Sequence, residues 1–192
     1  VPTLFGSELA VERGGDRVGT PDPDGEHLVV LARSPEGYRR LSRLLSDGHL
    51  RRGDKGAPLF QYEELAAHAE HWIVLTGCRK GPIATALHEA VPRAAHTRLH
   101  QLRDYFGDSL VMELWDHGQA LDTTRNDALA ALAVRTQTEL VATGNVHYAT
   151  PAAFRRAHVL AAIRSRRSLP QMQGWLPPAP TACLRSDQEQ RR

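Results

Sequence analysis

Five residues with metal-binding side chains stand in or next to apolar segments that have the composition of strands. They are Glu8 within the first segment, His27 at the start of the second, Cys78 after WIVLTG, and Asn145 and His147 after ELVATG. Ligands of parallel α/β folds gather at the carboxyl ends of strands, so such positions are the first candidates for function. A thiolate, imidazoles and a carboxylate can together bind zinc, and the same set without sulfur suits manganese or magnesium. For each residue alone, a satisfied core side chain is the alternative.

The other histidines are better explained as solvated surface. His96 and His100 are spaced i, i+4 on a predicted helix, but arginines flank them and no carboxylate of that turn joins them. The pair His88-Glu89 lacks the second histidine that the HExxH helix of a zinc protease requires. These patterns predict no second metal site.

Several functional classes lack their motifs in this sequence. There is no GxxxxGK[ST] phosphate loop, no GxGxxG after a strand and no GxSxG nucleophile elbow. The arginines at 51–52 and 164–167 could contact phosphate backbones, but a solvated loop and a helix end explain them equally well. Nucleotide-driven and serine-hydrolase functions are therefore disfavoured, and DNA contact stays open.

The elements that must position these residues alternate between strands and helices. Predicted strands cover residues 5–11, 27–32, 72–76, 109–115 and 139–143, and predicted helices cover 34–47, 61–71, 81–90, 92–106, 126–138 and 151–164. A polar stretch at 12–26 predicts the turn of a long hairpin, Asp47-Gly48 predicts a helix end, and 51–58 predicts a loop. The alternation implies βαβ crossovers and a mainly parallel sheet or barrel, hence the α/β class.

Composition sets further limits on the chain. Its 192 residues suit one domain, and a formal net charge of +2 indicates no partner by itself. Two distant cysteines favour a reducing, cytoplasmic setting, and no apolar run is long enough for a membrane span. The start at Val1 predicts a truncated chain, and the proline-rich, basic stretch at 165–192 predicts a linker leaving a domain formed by 1–164.

The order of several sequence blocks resembles the PHP (polymerase and histidinol phosphatase) domain of the alpha subunit of bacterial DNA polymerase III. These blocks are GSEL, HLVVLARSPEGYRRLSRLLS, VLTGCRKGPIATAL, LVMELWDHG, LVATGNVHYATP and HVLAAIRSRRSL. The tail RRSLPQMQGWLPPAPTACLRS is similar to the link into the polymerase core of the error-prone paralogue. The resemblance runs from about Phe5 to Ser186.

The resemblance implies a partial, distorted β/α barrel whose early strands are missing. PHP domains hold two or three metal ions (zinc, manganese or magnesium) and, where intact, hydrolyse phosphoesters. Glu8, His27, Cys78 and His147 match ligand positions of the family, whereas Asn145 stands where aspartate is usual and the early HxH motif is absent. An amide binds a dication less well than a carboxylate. We therefore expect a partial or vestigial site that holds no metal tightly, with occupancy mainly through Cys78 and His147.

Three functional hypotheses follow from these residues and this resemblance. The first is a PHP fragment that supports an error-prone, translesion DNA polymerase, is inactive alone, and meets DNA and replication or repair proteins through its parent. The second is a working metal-dependent phosphoesterase or 3′ exonuclease. The third is a non-catalytic DNA-binding or scaffolding module. The sequences flanking this chain would discriminate among them.

Overall fold

The computed structural model describes residues 3–12, 25–52, 58–89, 93–173 and 175–190. The strands are β1 (Gly6–Val11), β2 (Glu26–Ala32), β3 (Trp72–Leu75), β4 (Leu110–Leu114) and β5 (Leu140–Ala142). The helices are α1 (Pro35–Arg52), α2 (Tyr62–Ala66), α3 (Pro82–Leu87), α4 (Ala94–Phe106), α5 (Asp122–Thr136), α6 (Phe154–Ser165) and α7 (Asp187–Gln190). The predicted α/β class is confirmed.

The strands form one sheet in the order β1-β2-β3-β4-β5. Strands β1–β2 and β2–β3 pair antiparallel, while β3–β4 and β4–β5 pair parallel. The prediction of a mainly parallel sheet is therefore wrong for half of the pairs. Strands β1 and β2 form the predicted hairpin, whose turn lies largely outside the described residues. Two helices, α1 and α2, separate β2 from β3, as predicted.

Alternation along the strands divides the sheet into two faces. On β1 to β4, one face carries buried apolar side chains that pack against helices α1, α2, α4 and α5. From the strands this core includes Leu9, Val11, Leu28, Val30, Trp72, Val74, Leu110 and Met112; from the helices it includes Leu41, Leu44, Tyr62, Leu65, Leu99, Leu102, Phe106, Leu129 and Leu132. The candidate site lies on the opposite face of the sheet.

Two predicted helix boundaries are wrong. Helix α1 passes through Asp47-Gly48 and continues to Arg52. Gly48 lies against the Phe60 ring, where a Cβ would come within 2.3 Å of ring carbon Cε1. Glycine here serves close packing within the helix and not its end. Helix α5 begins four residues before the predicted Asn126, since Asp122 accepts hydrogen bonds from backbone N–H groups of the preceding turn.

Other predicted boundaries differ by a few residues. The predicted helix 61–71 is divided into α2 and a 3₁₀ turn at Ala69–His71. The helix predicted from residue 151 starts as a 3₁₀ turn, Pro151–Ala153, before α6. Helix α3 ends at Leu87, earlier than predicted, and the last residue of the predicted helix, 90, lies outside the described residues. Pro92 and most of the predicted loop 51–58 also lie outside the described residues.

The stretch after α6 packs back onto the strand-end loops. Ala182 and Cys183 are buried against Tyr148, and Tyr148 and Cys183 form an isolated parallel bridge. The N–H groups of His147 and Tyr148 donate to the carbonyl of Ala182 at 2.9 and 3.2 Å. The division at residue 164 into a domain and a linker stays a prediction.

No helix in the described part of the chain combines the length and the apolar character needed to cross a membrane.

Candidate metal centre

The register of the β1–β2 hairpin brings Glu8 and His27 together. Ala10 pairs with His27 and Glu8 with Val29, so Glu8 and His27 are diagonal neighbours on adjacent strands. Leu9 and Leu28 point into the core, which turns Glu8 and His27 to the opposite face. Glu8 Oε1 lies 3.3 Å from His27 Nδ1.

A tight turn after β3 carries Cys78 to the same place. Gly77 has φ +82°, in the region that favours glycine, and a Cβ there would lie 1.9 Å from the carbonyl oxygen of His27. The His27 N–H donates to the carbonyl of Lys80 at 3.0 Å, which fixes the turn against β2. As a result Cys78 Sγ lies 3.3 Å from His27 Nδ1.

The ligand atoms of Glu8, His27 and Cys78 all lie within 4.8 Å of one another. Bond lengths of about 2.0–2.3 Å in a tetrahedral array would place neighbouring ligand atoms about 3.3–3.6 Å apart. The two distances to His27 therefore nearly match a zinc-like arrangement already. Carboxylate, imidazole and thiolate together suit zinc better than magnesium or calcium.

The same three residues are not arranged as a catalytic triad with Cys78 as the nucleophile. In such a triad, the histidine uses one ring nitrogen for the nucleophile and the other for the carboxylate that orients the ring. Here both Cys78 and Glu8 approach Nδ1 of His27. Burial also raises the pKa of the Cys78 thiol to about 11, and the nearby carboxylates of Glu8 and Glu113 add to that rise. A thiol of this pKa is a poor nucleophile at neutral pH, whereas a bound metal would deprotonate it.

Two predicted ligands, Asn145 and His147, lie in the loop that follows β5. His147 lies beside His117, with ring centroids 6.3 Å apart, and does not belong to the group formed by Glu8, His27 and Cys78. Burial is the largest cause that lowers the pKa of His147, and the nearby His117, Arg164 and Arg79 lower it further. Asn145 has φ +37° and its N–H donates to Thr143 Oγ1 at 3.4 Å. Whether Asn145 or His147 binds a metal, and whether occupancy is mainly through Cys78 and His147, stays a prediction.

Glu113 is a charged residue of this region that the sequence reasoning did not select. It lies on β4 with only 5% of its surface exposed, and its Oε1 accepts a 2.5 Å hydrogen bond from Thr143 Oγ1. Its Oε2 is buried without a hydrogen-bond partner among the described residues. Burial raises the pKa of Glu113, while hydrogen bonds from Thr143 and the Gly77 N–H oppose the rise. A carboxyl group inside the apolar run SLVMELW is the signal that could have found it.

Within the described residues, the surface histidines and arginines form no group of metal ligands comparable to Glu8, His27 and Cys78. His96 Nε2 and His100 Nε2 lie 3.3 Å apart on exposed parts of α4, but among the described residues no third ligand joins them. Arg51 forms an ion pair with Glu64, so that charge is partly neutralised. Arg164 lies exposed on the last turn of α6.

Comparison with known proteins places these residues in a family context. Residues 1–117 match the model of the PHP domain. An error-prone DNA polymerase of Mycobacterium bovis is 49% identical over 194 aligned residues, which cover all of this chain and 18% of that protein. An error-prone DNA polymerase of Cutibacterium acnes is 46% identical over 97% of this chain and 17% of its own length. The DNA polymerase III subunit alpha of Thermus aquaticus is 30% identical over all of this chain and 16% of its length.

Proposed function

The chain belongs to the PHP domain family, and we propose that it is the PHP portion of an error-prone DNA polymerase. The observation that carries this proposal is the identity to error-prone polymerases, 49% across the whole chain, against 30% to a polymerase III alpha subunit. The five-stranded α/β structure is consistent with a partial PHP domain of the β/α-barrel type.

The proposed role of this chain is structural support within a larger polymerase. The chain spans less than a fifth of the length of the curated relatives it matches, so we assign nucleotidyl transfer to the rest of the parent. Through that parent it would meet DNA and accessory proteins of replication or repair during synthesis past lesions, in the cytoplasm. The names of the relatives support the assignment to a DNA polymerase. The role in synthesis past lesions is a further part of the proposal.

We further propose that Glu8, His27 and Cys78 hold one divalent cation of the zinc type. Three protein ligands with one open position are the usual set of a catalytic zinc site, which can activate water or polarise a phosphoryl oxygen. The sequence alone assigned the main occupancy to two ligands, Cys78 and His147. The converging group supplies three, so binding should be tighter than that expectation.

We expect the purified chain to bind about one equivalent of Zn²⁺, and the change Cys78→Ala to weaken binding by about 100-fold. Removing one of three ligands leaves too few bonds for a defined site. Binding should also weaken as the pH falls, because the metal must displace the thiol proton. Isothermal titration with Zn²⁺ in a non-chelating buffer measures both effects.

Two matched variants control this experiment. Cys183→Ala removes the other cysteine, which is buried beside Tyr148, and His147→Ala removes a predicted ligand outside the group. Both should keep near-wild-type affinity. Equal Zn²⁺ affinity in the wild type and Cys78→Ala, or a loss confined to His147→Ala, would contradict the assignment of the three ligands.

A metal-dependent phosphoesterase or 3′ exonuclease is the second candidate function. The open coordination position expected at a three-ligand site favours it. Asn145 counts against it, because an amide at a position where the family usually has aspartate supplies no charge. Hydrolysis of a model phosphodiester by the metal-loaded chain, lost in Cys78→Ala, would support it over the structural role.

The chain by itself should not extend a primer. Two-metal phosphoryl transfer needs paired carboxylates that clamp two ions about 3.5–4 Å apart. Within the described residues, the only group of three or more possible metal ligands is Glu8, His27 and Cys78, which has one carboxylate. Primer-extension assays on intact and damaged templates should show no product above buffer. Template-dependent incorporation of nucleotides would contradict the assignment of nucleotidyl transfer to the rest of the parent polymerase.

A further inference from the structure

Two imidazole rings, those of His96 and His100, converge on the exposed face of α4. Their Nε2 atoms lie 3.3 Å apart, while the ring centroids are 4.4 Å apart and the planes are inclined by 55°. The rings are therefore closer at their Nε2 atoms than at their centres. Two nitrogen ligands of a tetrahedral zinc ion, each about 2.0–2.1 Å from the metal, would lie about 3.3–3.4 Å apart. The observed distance is the one that a shared cation requires.

The packing of α4 holds the two histidines at this spacing. The other side of the helix is anchored in the core by four buried residues: Ala95, Leu99, Leu102 and Phe106. His96 and His100 are both exposed and stand four residues apart, so they are neighbours on one helix face. A cation would meet a pair whose backbone is already ordered, which lowers the entropic cost of binding.

The arginines that flank the pair in sequence are engaged elsewhere. The Arg98 guanidinium donates to the Glu26 carboxylate and lies 4.9 Å from the centre of the Tyr62 ring. The Arg103 Nη1 group donates to the carbonyl of Thr136 at 2.6 Å. The sequence predicted no metal site here partly because of these two arginines, and their contacts weaken that argument.

Two other charges near the pair oppose each other. Asp104 is exposed one helical turn beyond His100, on the same face of α4, so its carboxylate favours a cation. Arg93 is exposed three residues before His96, and its charge disfavours one. In the metal-free chain, one imidazole can donate its Nε2 proton to the other, and a bound cation would take the place of that proton.

We propose that His96 and His100 bind a divalent cation that prefers imidazole nitrogen, the class of Ni²⁺, Cu²⁺ and Zn²⁺. Among the described residues no third ligand joins the pair, so water completes the coordination and the site is weaker than a three-ligand centre. Helix α4 packs on the face of the sheet opposite the candidate metal centre. The proposal therefore goes beyond the proposed function and does not depend on it.

Titration of the Cys78→Ala chain with Ni²⁺ tests this proposal, because that change removes a ligand of the other centre. We expect about one equivalent of Ni²⁺ to bind. A further His96→Ala or His100→Ala change should weaken binding by about tenfold or more, since even a partner that only supports a ligand contributes about 10–100-fold to affinity. Alanine is favourable within a helix, so both variants should stay folded, which circular dichroism checks.

Two controls separate the pair from histidine content alone. His49→Ala removes an exposed histidine of α1 that has no histidine three or four residues away, and it should keep full affinity. His100→Ala combined with Gln101→His keeps the number of histidines but moves one off the shared face, and it should bind as weakly as His100→Ala. Full Ni²⁺ affinity in His96→Ala or in the combined variant, or an equal loss in His49→Ala, would overturn the proposal.

Histidine modification in the otherwise unchanged chain locates the cation by residue. Diethyl pyrocarbonate attacks an imidazole nitrogen that carries neither proton nor metal, and peptide mass spectrometry identifies each modified histidine. With saturating Ni²⁺, His96 and His100 should both lose most of their reactivity while His49 keeps its own, and His96→Ala should abolish the protection of His100. Protection of His27 without the pair would overturn this proposal alone. Protection of the pair without His27 would support it while the centre at Cys78 fails.

Discussion

Asp122→Asn should lower the free energy of unfolding by about 3–5 kcal/mol, because it leaves a buried arginine without its counter-charge. Asp122 is 1% exposed and its Oδ1 accepts from Arg125 at 2.7 Å; its Oδ2 accepts from the N–H groups of His117 and Gln119. Arg125 is also buried, and lies over the Trp115 ring at 3.8 Å. Urea unfolding at neutral pH, followed by circular dichroism, measures the loss.

Asp127→Asn on the same helix is the matched control. Asp127 is exposed, and a surface carboxylate of this kind changes stability by no more than about 0.5 kcal/mol. A loss below about 1 kcal/mol in Asp122→Asn would contradict the buried ion pair.

The pH dependence of the Asp122→Asn effect has a defined sign. Burial alone would raise the pKa of Asp122, but the hydrogen bonds from His117, Arg125 and Gln119 outweigh it and hold the pKa below its ordinary value. The unfolded state therefore takes up the proton first on acidification. The stabilisation by Asp122 is complete above its unfolded pKa of about 3.9, and is lost as the pH falls through the lower folded value. The difference between wild type and variant should be constant from pH 8 to about 5 and shrink only in stronger acid.

Strands and ligand types were the features most readily predicted from this sequence. The apolar runs that became β1 to β5 are short and bounded by turn residues, and the predicted bounds lie within one or two residues of the observed ones. Glu8, His27 and Cys78 were selected as ligand positions, and the structure brings them together. Their grouping depends on the register of the hairpin and on the turn at Gly77, which strand patterns alone do not specify.

The features that were missed depend on contacts between residues distant in sequence. Gly48 looked like a helix end because glycine usually marks one, but the ring of Phe60 occupies the space of its missing side chain. Glu113 looked like one polar position in an apolar strand. Its hydrogen-bond partner, Thr143, lies 30 residues further along the chain, just after the neighbouring strand β5. Only the order of strands in the sheet shows that these two residues are neighbours.

At the candidate metal centre, Gly77 shows the same dependence on a contact between residues distant in sequence. Its φ of +82° and its close approach to the His27 carbonyl are both needed to place Cys78 beside His27. Gly118 has a similar φ of +76°, but a Cβ there would meet no atom within 4 Å. Comparing substitutions at the two glycines therefore separates the free-energy cost of a left-handed backbone conformation from the cost of steric overlap with β2.

Gly77→Ala should lower the free energy of unfolding by about 3–5 kcal/mol, and Gly118→Ala by only about 1–2 kcal/mol, the cost of a left-handed conformation for a residue with a Cβ. The added loss at Gly77 comes from a methyl group placed 1.9 Å from the His27 carbonyl oxygen, where backbone must move. That movement should also separate Cys78 from His27, so Zn²⁺ affinity should fall by about tenfold or more in Gly77→Ala and stay unchanged in Gly118→Ala. Chemical denaturation and zinc titration of both variants measure the two effects. Equal losses of stability in the two variants, or full zinc affinity in a folded Gly77→Ala, would mean that the turn after β3 does not hold Cys78 against β2 as the structure describes.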